Sequence, residues 1–279
     1  EKRVNYALQQ NDVPFVRTLK INNEEDQTFE DIDLHVWGEP GVSASWQTKI
    51  AKIPPRSTYR LQHVEISFSP EYLINLTERE TGLLHVQVAK DEHQIYRSSF
   101  PFELLAYNEW GGSESLPEIL AAFVFPNHPA IQEVLATIRD RARDLTGDPS
   151  LSGYQIGGPE RVRQLANATY RAIQGLDISY INPPASFEQE GQKIRTPDQI
   201  RHTRMGTCLD LAGFVAACLE QMGLHPLVFL IKGHAFVGAW LVDECFHEPC
   251  VDDVVRIRKR SDFGHIVVFE STALTSGKG

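Results

Sequence analysis

The sequence predicts a chain of two domains, an all-β half followed by an α+β half. Three observations carry this: hydrophobicity of period two as far as Tyr107, a change of composition at Glu109 to Ser113, and helical periodicity thereafter. The 279 residues suit two domains, since single cores stop growing at roughly 250–300 residues. In the first half Ile32, Leu34 and Val36 alternate with polar neighbours, as do Val64, Ile66 and Phe68, then Leu84, Val86 and Val88, then Phe100, Phe102 and Leu104. Asn22-Asn23, Gly38 to Gly41, Pro54-Pro55 and Thr81-Gly82 are the breaks between them. Short strands at this spacing, with no helical stretch between most of them, predict an antiparallel β-sandwich of immunoglobulin-like type over residues 1–108. No cysteine pair bridges its sheets and no cluster in it suggests catalysis. Its expected role is to bind a protein partner or to space the second domain.

Residues 109–116 read as a linker, and 117–279 as the second domain. Asn127 is expected to cap a helix whose stripe is Ile131, Val134, Leu135, Ile138, Ala142 and Leu145, ended by Gly147. Pro159 opens a second, carrying Val162, Leu165, Ala166, Thr169 and Ile173 and stopped by Gly175. Leu176, Ile178 and Tyr180 alternate as a short extended segment. The stretch from Asn182 to Arg195 is polar and without periodicity, and reads as a long loop. Thr196-Pro197-Asp198-Gln199 then has the form of a capping box.

Composition narrows the function classes. The formal charge of −10 argues against a phosphate backbone as the main ligand, and the run Arg256, Arg258, Lys259, Arg260 reads as the solvated face of a short helix. No apolar run is long enough for a bilayer, and Glu1-Lys2-Arg3 lacks the apolar core of a signal peptide, so no membrane partner is expected. All four cysteines lie at Cys208, Cys218, Cys245 and Cys250, which predicts a reducing, cytoplasmic setting rather than a disulfide scaffold. Cys245, His247 and Cys250 match no common zinc spacing, and neither metal nor cofactor is expected. The missing initiator Met and the small residues Ser276 to Gly279 suggest a piece of a longer protein.

The stretch that organises the second domain runs from Arg204 to Trp240. Gly206 and Thr207 break what precedes them, and Leu209, Ala212, Val215, Ala216, Leu219 and Met222 recur at helical spacing, so a buried amphipathic helix begins near Cys208 and stops at Gly223. Leu227 to Ile231 and Ala235 to Val242 are strand-length apolar runs joined by Lys232-Gly233. Cys208 therefore sits at a helix N-terminus, where amide groups and the dipole favour a thiolate, and His234 opens a strand. Asp210 reads as a first-turn acid and Cys218 as core.

A cysteine near a helix start followed by a histidine on the second strand resembles the transglutaminase-like branch of the papain superfamily. The residues that carry the resemblance are GTC at Cys208, LHPLV after the helix, GHAF at His234, and the helix leading into the Ile178/Tyr180 stretch. In that family an acid on the following strand completes the site, usually Asp with Thr two residues on; here IVVFEST supplies Glu270 and Thr272, with Glu in place of Asp. The resemblance implies a thiol-dependent amide-bond hydrolase acting on a protein or peptide through Cys208, His234, Glu270 and an acyl-enzyme. The same residues permit acyl transfer to an amine, and the fold is also compatible with a non-catalytic binding module. The backbone N–H of Cys208 is the first oxyanion candidate, with Gln199 and Trp240 as side-chain alternatives. Glu270, rather than Asp243, Asp252, Asp253 or Asp262, is expected to orient His234. The whole arrangement also resembles a module near the N-terminus of large bacterial helicase-type proteins. No helicase motif is present, so nucleic acid is expected only through a C-terminal region beyond this sequence.

Overall fold

The computed structural model describes residues 2–114 and 116–275; Glu1 and the expected tail from Ser276 to Gly279 lie outside the described residues. Helices and several sheets occur together, and the chain divides into two compact units, Glu1–Glu109 and Trp110–Gly279.

The first unit contains β1 (Arg3–Val4), α1 (Tyr6–Gln10), β2 (Val16–Asn22), β3 (Phe29–Glu39), β4 (Trp46–Ile53), β5 (Thr58–Val64), α2 (Pro70–Asn75), β6 (Glu80–Lys90) and β7 (His93–Leu104). Five of its strands form one sheet in the order β1-β7-β6-β3-β4, and β2 pairs with β5 in a second. The alternation seen in the sequence becomes one buried face: Leu34 lies opposite Val88 and Val36 opposite Val86 across β3 and β6, and Ile32, Leu34 and Val36 are fully buried. Leu19 of β2 and Val64 of β5 join the same core, so both sheets enclose it. Two helices interrupt the expected run of strands, because each start is capped. The Asn5 side chain accepts a hydrogen bond from the Leu8 N–H, and that of Ser69 from the Tyr72 N–H, with Pro70 at the first helical position.

A two-residue strand, β8 (Glu109–Trp110), lies at the boundary. The second unit then holds α3 (Pro129–Thr146), α4 (Gly158–Gln174), β9 (Ser179–Tyr180), α5 (Phe187–Glu190), β10 (Gln192–Lys193), α6 (Pro197–Thr203), β11 (Met205–Gly206), α7 (Cys208–Gln221), β12 (Pro226–Ile231), β13 (His234–Trp240), α8 (Val254–Asp262) and β14 (Ile266–Phe269). The last three strands form an antiparallel sheet in the order β12-β13-β14. Leu211, Phe214 and Val215 of α7 join Ile138 of α3, Leu165 of α4 and Val237 of β13 in one core.

Helix α7 is buried almost all round, from Cys208 through Leu219 with Gly213 the half-buried exception. This is more than the one-sided burial expected of an amphipathic helix, and it matches a sequence with no polar face. Gly223, at φ +73°, ends the helix in the left-handed region. Two expectations need correction. The cap of α3 is His128, not Asn127: Pro129 occupies the first helical position, and the His128 ring accepts a hydrogen bond from the Ala130 N–H at 3.2 Å. The segment from Asn182 to Arg195 is not a structureless loop, since it contains α5 and β10. Among the described residues no helix is long and apolar enough to cross a membrane.

Leu34 is fully enclosed, so Leu34→Ala is expected to destabilise the first unit by about 2–5 kcal/mol, measured as a shift in the urea unfolding midpoint of that unit.

Candidate active site

The site is built at the first turn of α7. The Thr207 hydroxyl accepts a hydrogen bond from the Asp210 N–H at 3.2 Å, while the Asp210 carboxylate accepts one from the Thr207 N–H at 2.9 Å. This reciprocal cap pins the residue before Cys208. Asp210 is 1 % exposed, and its charge is met by the Arg195 N–H at 2.9 Å and the Arg195 guanidinium at 2.8 Å. The Gln192 amide donates to the Thr207 hydroxyl at 2.9 Å. The polar segment ahead of the helix is therefore ordered by the turn that presents the cysteine. Asp210 is occupied with that task and acts structurally.

Cys208 is fully buried. Burial pushes its thiol above the usual cysteine range. The Ala235 N–H, the Tyr180 hydroxyl and the N–H groups of Leu209 and Cys208 itself pull in the opposite direction without cancelling it. Strand β9 brings Tyr180 there by pairing in parallel with β11, Tyr180 opposite Gly206. The Tyr180 hydroxyl is itself pushed up to about 12 by burial, by the adjacent Cys208 sulfur and by the negative charge of Glu270.

Strand β13 places His234 at its start, after Gly233 turns the hairpin at φ +71°. The His234 Nε2 and a Glu270 oxygen lie 2.8 Å apart. The other Glu270 oxygen accepts from the Thr272 N–H at 2.8 Å and the Thr272 hydroxyl at 2.9 Å. Burial raises the Glu270 carboxyl, but the hydrogen bonds from Thr272 and His234 outweigh it and the net shift is downward. The extra methylene of Glu is thus held by a clamp two residues on. Pairing of Val237 with Phe269 sets β14 in register, so that Glu270 follows directly beside the start of β13. The intervening Ser271, also fully buried, donates to the Ala235 carbonyl at 3.1 Å and is 3.3 Å from the Cys208 carbonyl. One hydroxyl therefore spans the backbones of the helix start and of the residue after His234.

Two of the other acids, Asp243 and Asp253, are engaged elsewhere. Asp243 lies 2.9 Å from the His225 ring, and Asp253 caps α8 through the Val255 and Arg256 N–H groups. The two side-chain oxyanion alternatives have the following surroundings. Trp240 ends β13, six residues and about 20 Å from His234 along the strand, with its ring against Phe246. The Gln199 side-chain oxygen accepts from the Thr196 N–H at 3.1 Å and so belongs to the cap of α6. Cys218 is sealed in the core, its thiol pushed up to about 12 by burial. Cys245 and Cys250 are exposed, and no group of three or more His, Cys, Asp or Glu suited to a metal occurs among the described residues.

Tyr180 and Ser271 were not singled out as site residues in the sequence. Ser271 adjoins Glu270, which was a usable signal. Tyr180 had none beyond its place in an extended stretch.

Because the Cys208 thiol is held above its usual range, thiolate is the minor form at neutral pH and grows as pH rises. Alkylation of Cys208 by iodoacetamide is accordingly expected to accelerate through a midpoint above about 8.5, the free-cysteine value. Peptide mapping of the alkylated residue against pH measures it.

No family model matches the chain, and no curated protein matches it. Among solved structures it is similar to a crystal structure of "a putative protease" from Parabacteroides distasonis ATCC 8503, with 12 % identity and a TM-score of 0.26. The match covers 80 % of this chain, which spans 41 % of that one.

Proposed function

We propose that the second unit is a thiol-dependent amide-bond hydrolase of transglutaminase-like, papain-type fold, acting on protein or peptide through Cys208, His234 and Glu270. The observation that carries this reading is the His234–Glu270 hydrogen bond at 2.8 Å, with Glu270 clamped by Thr272, at the end of the sheet where Ala235 meets the first turn of α7. With Nε2 engaged by Glu270, Nδ1 is the ring nitrogen left for the thiol, and the carboxylate holds the ring in that tautomer.

Burial keeps the resting nucleophile as a thiol, so His234 acts as a general base rather than as the partner of a standing ion pair. As sulfur bonds to the amide carbon, the thiol proton passes to Nδ1, and the carbonyl oxygen takes up negative charge near the Cys208 N–H at the helix start. The tetrahedral adduct collapses, the C–N bond breaks, and His234 returns the proton to the leaving amine. Water then attacks the thioester with His234 again as base, releasing the acid and restoring the thiol.

Turnover on a panel of fluorogenic peptide amides tests the assignment. Cys208→Ser and His234→Ala are expected to abolish it. Glu270→Gln should preserve the fold and lower the rate by roughly 10⁴-fold, as for the orienting acid of hydrolase triads. Near-wild-type turnover of Glu270→Gln, together with loss in Asp243→Asn, would move the orienting role to Asp243.

A further inference from the structure

We propose that the first unit carries a docking slot for an extended strand of a partner protein, one with apolar side chains at alternate positions and a basic residue at the end that meets Glu24 and Glu25. The proposal stands apart from the reading of Cys208. It begins with a gap in the second sheet: β2 pairs with β5, and among the described residues no strand pairs with its other edge. The Asn23 N–H donates to the Ser57 carbonyl at 2.8 Å, and hydrogen-bonded residues alternate along an antiparallel pair. In that register Ile21 and Leu19 bond to β5, while the backbone groups of Thr18, Lys20 and Asn22 point along the open edge.

Beside that edge lies uncovered apolar surface. Across β6 and β7, Leu84 stands opposite Phe100 and Val88 opposite Tyr96, so these four side chains share one face of the sheet. Leu84 and Val88 are buried in the core of the unit, yet Tyr96 is 55 % exposed and Phe100 52 %. Farther along β7 the face closes again, where the Phe15 ring meets Phe102 at 4.8 Å. The two-stranded second sheet therefore stops one strand short over the middle of β7. What remains is a cleft of about 650 Å³, lined by Thr18, Lys20 and Asn22 together with Ile95, Tyr96 and Phe100.

The chemistry of the cleft selects its occupant. Backbone donors and acceptors at every second residue of β2 are met by an extended chain and not by a helix, whose own N–H and C=O groups are already paired. The same chain turns alternate side chains toward Tyr96 and Phe100, so those positions are apolar. Glu24 and Glu25 follow β2, are exposed and line the same cleft. The Arg56 guanidinium near them is bonded to Asp26, so a Lys or Arg of the incoming strand meets their charge. A second copy of this chain would bring its own formal charge of −10 to the encounter, which favours a basic segment of another protein.

The test is fluorescence anisotropy of labelled synthetic peptides, about ten residues long, titrated with the full chain. The panel carries Val, Ile or Leu at alternate positions, Thr between them and a Lys pair at one end. Saturable binding is expected. N-methylation of one alternate set of peptide nitrogens should weaken it by at least about tenfold, and of the other set hardly at all, because a strand offers only one edge to β2. Phe100→Ser, which alters a half-exposed ring, should weaken it as much with the thermal midpoint unchanged, and Glu in place of the Lys pair should weaken it in low salt. Absence of saturable binding across the panel overturns the proposal, as does an affinity indifferent to both N-methylated sets or to Phe100→Ser. Sedimentation of the chain alone supplies the last arm. A dimer that Phe100→Ser dissociates would give the cleft to a second copy and overturn the assignment to a partner.

Discussion

Helix α7 begins inside the protein, and the other features of the site follow from that constraint. The first turn of any helix leaves backbone N–H groups without internal partners, which is tolerable in water and costly when buried. Here Thr207 and Asp210 satisfy part of that demand between them. The buried carboxylate this introduces needs a cation, which Arg195 supplies, and the Thr207 hydroxyl is steadied by Gln192. A segment with no periodicity of its own becomes ordered because the helix it precedes requires partners. Arg195, at one end of it, is fixed by electrostatics rather than by burial of apolar surface.

The same burial sets up a competition at the cysteine. A helix N-terminus favours an anion, whereas removal from water disfavours one, and at Cys208 desolvation is the larger effect. Asp210, two residues along, would oppose a thiolate further if its charge were not shared between Arg195 and the Thr207 N–H. In the proposed mechanism a thiol left neutral in this way depends on a base that removes its proton at the moment of attack, which gives the orientation of His234 its weight.

The Glu in place of the Asp usual in the resembled family illustrates how side-chain length is absorbed locally. A longer carboxylate has more rotamers to lose and a less determined position. Thr272 contributes both its N–H and its hydroxyl to one oxygen, leaving the other for the ring. The loss of freedom is made good by a residue only two positions away, and Ser271 between them ties the same turn to the helix start.

What the sequence by itself determined was everything governed by short range. The alternation at Ile32, Leu34 and Val36 named a buried face before any partner was known, and Gly147 and Gly223 marked helix ends because few other residues tolerate the left-handed conformation found there. The adjacency of Thr207 to Cys208 placed the thiol at a helix start, since capping depends on residues three positions apart. Asn127 was mistaken for a cap because Pro129 moves the helix start by one residue, an effect as local as the cap itself. Only the tertiary structure decided which distant residues gather at the helix start. Tyr180 is set beside Gly206, two residues ahead of Cys208, by a parallel pairing of two-residue strands that carries no hydrophobic pattern of its own, Gln192 and Arg195 are recruited by a buried turn, and Trp240 is carried away from His234 by the length of β13. Such pairings reflect the satisfaction of buried polar groups across the fold, and that demand leaves no period in the chain that meets it.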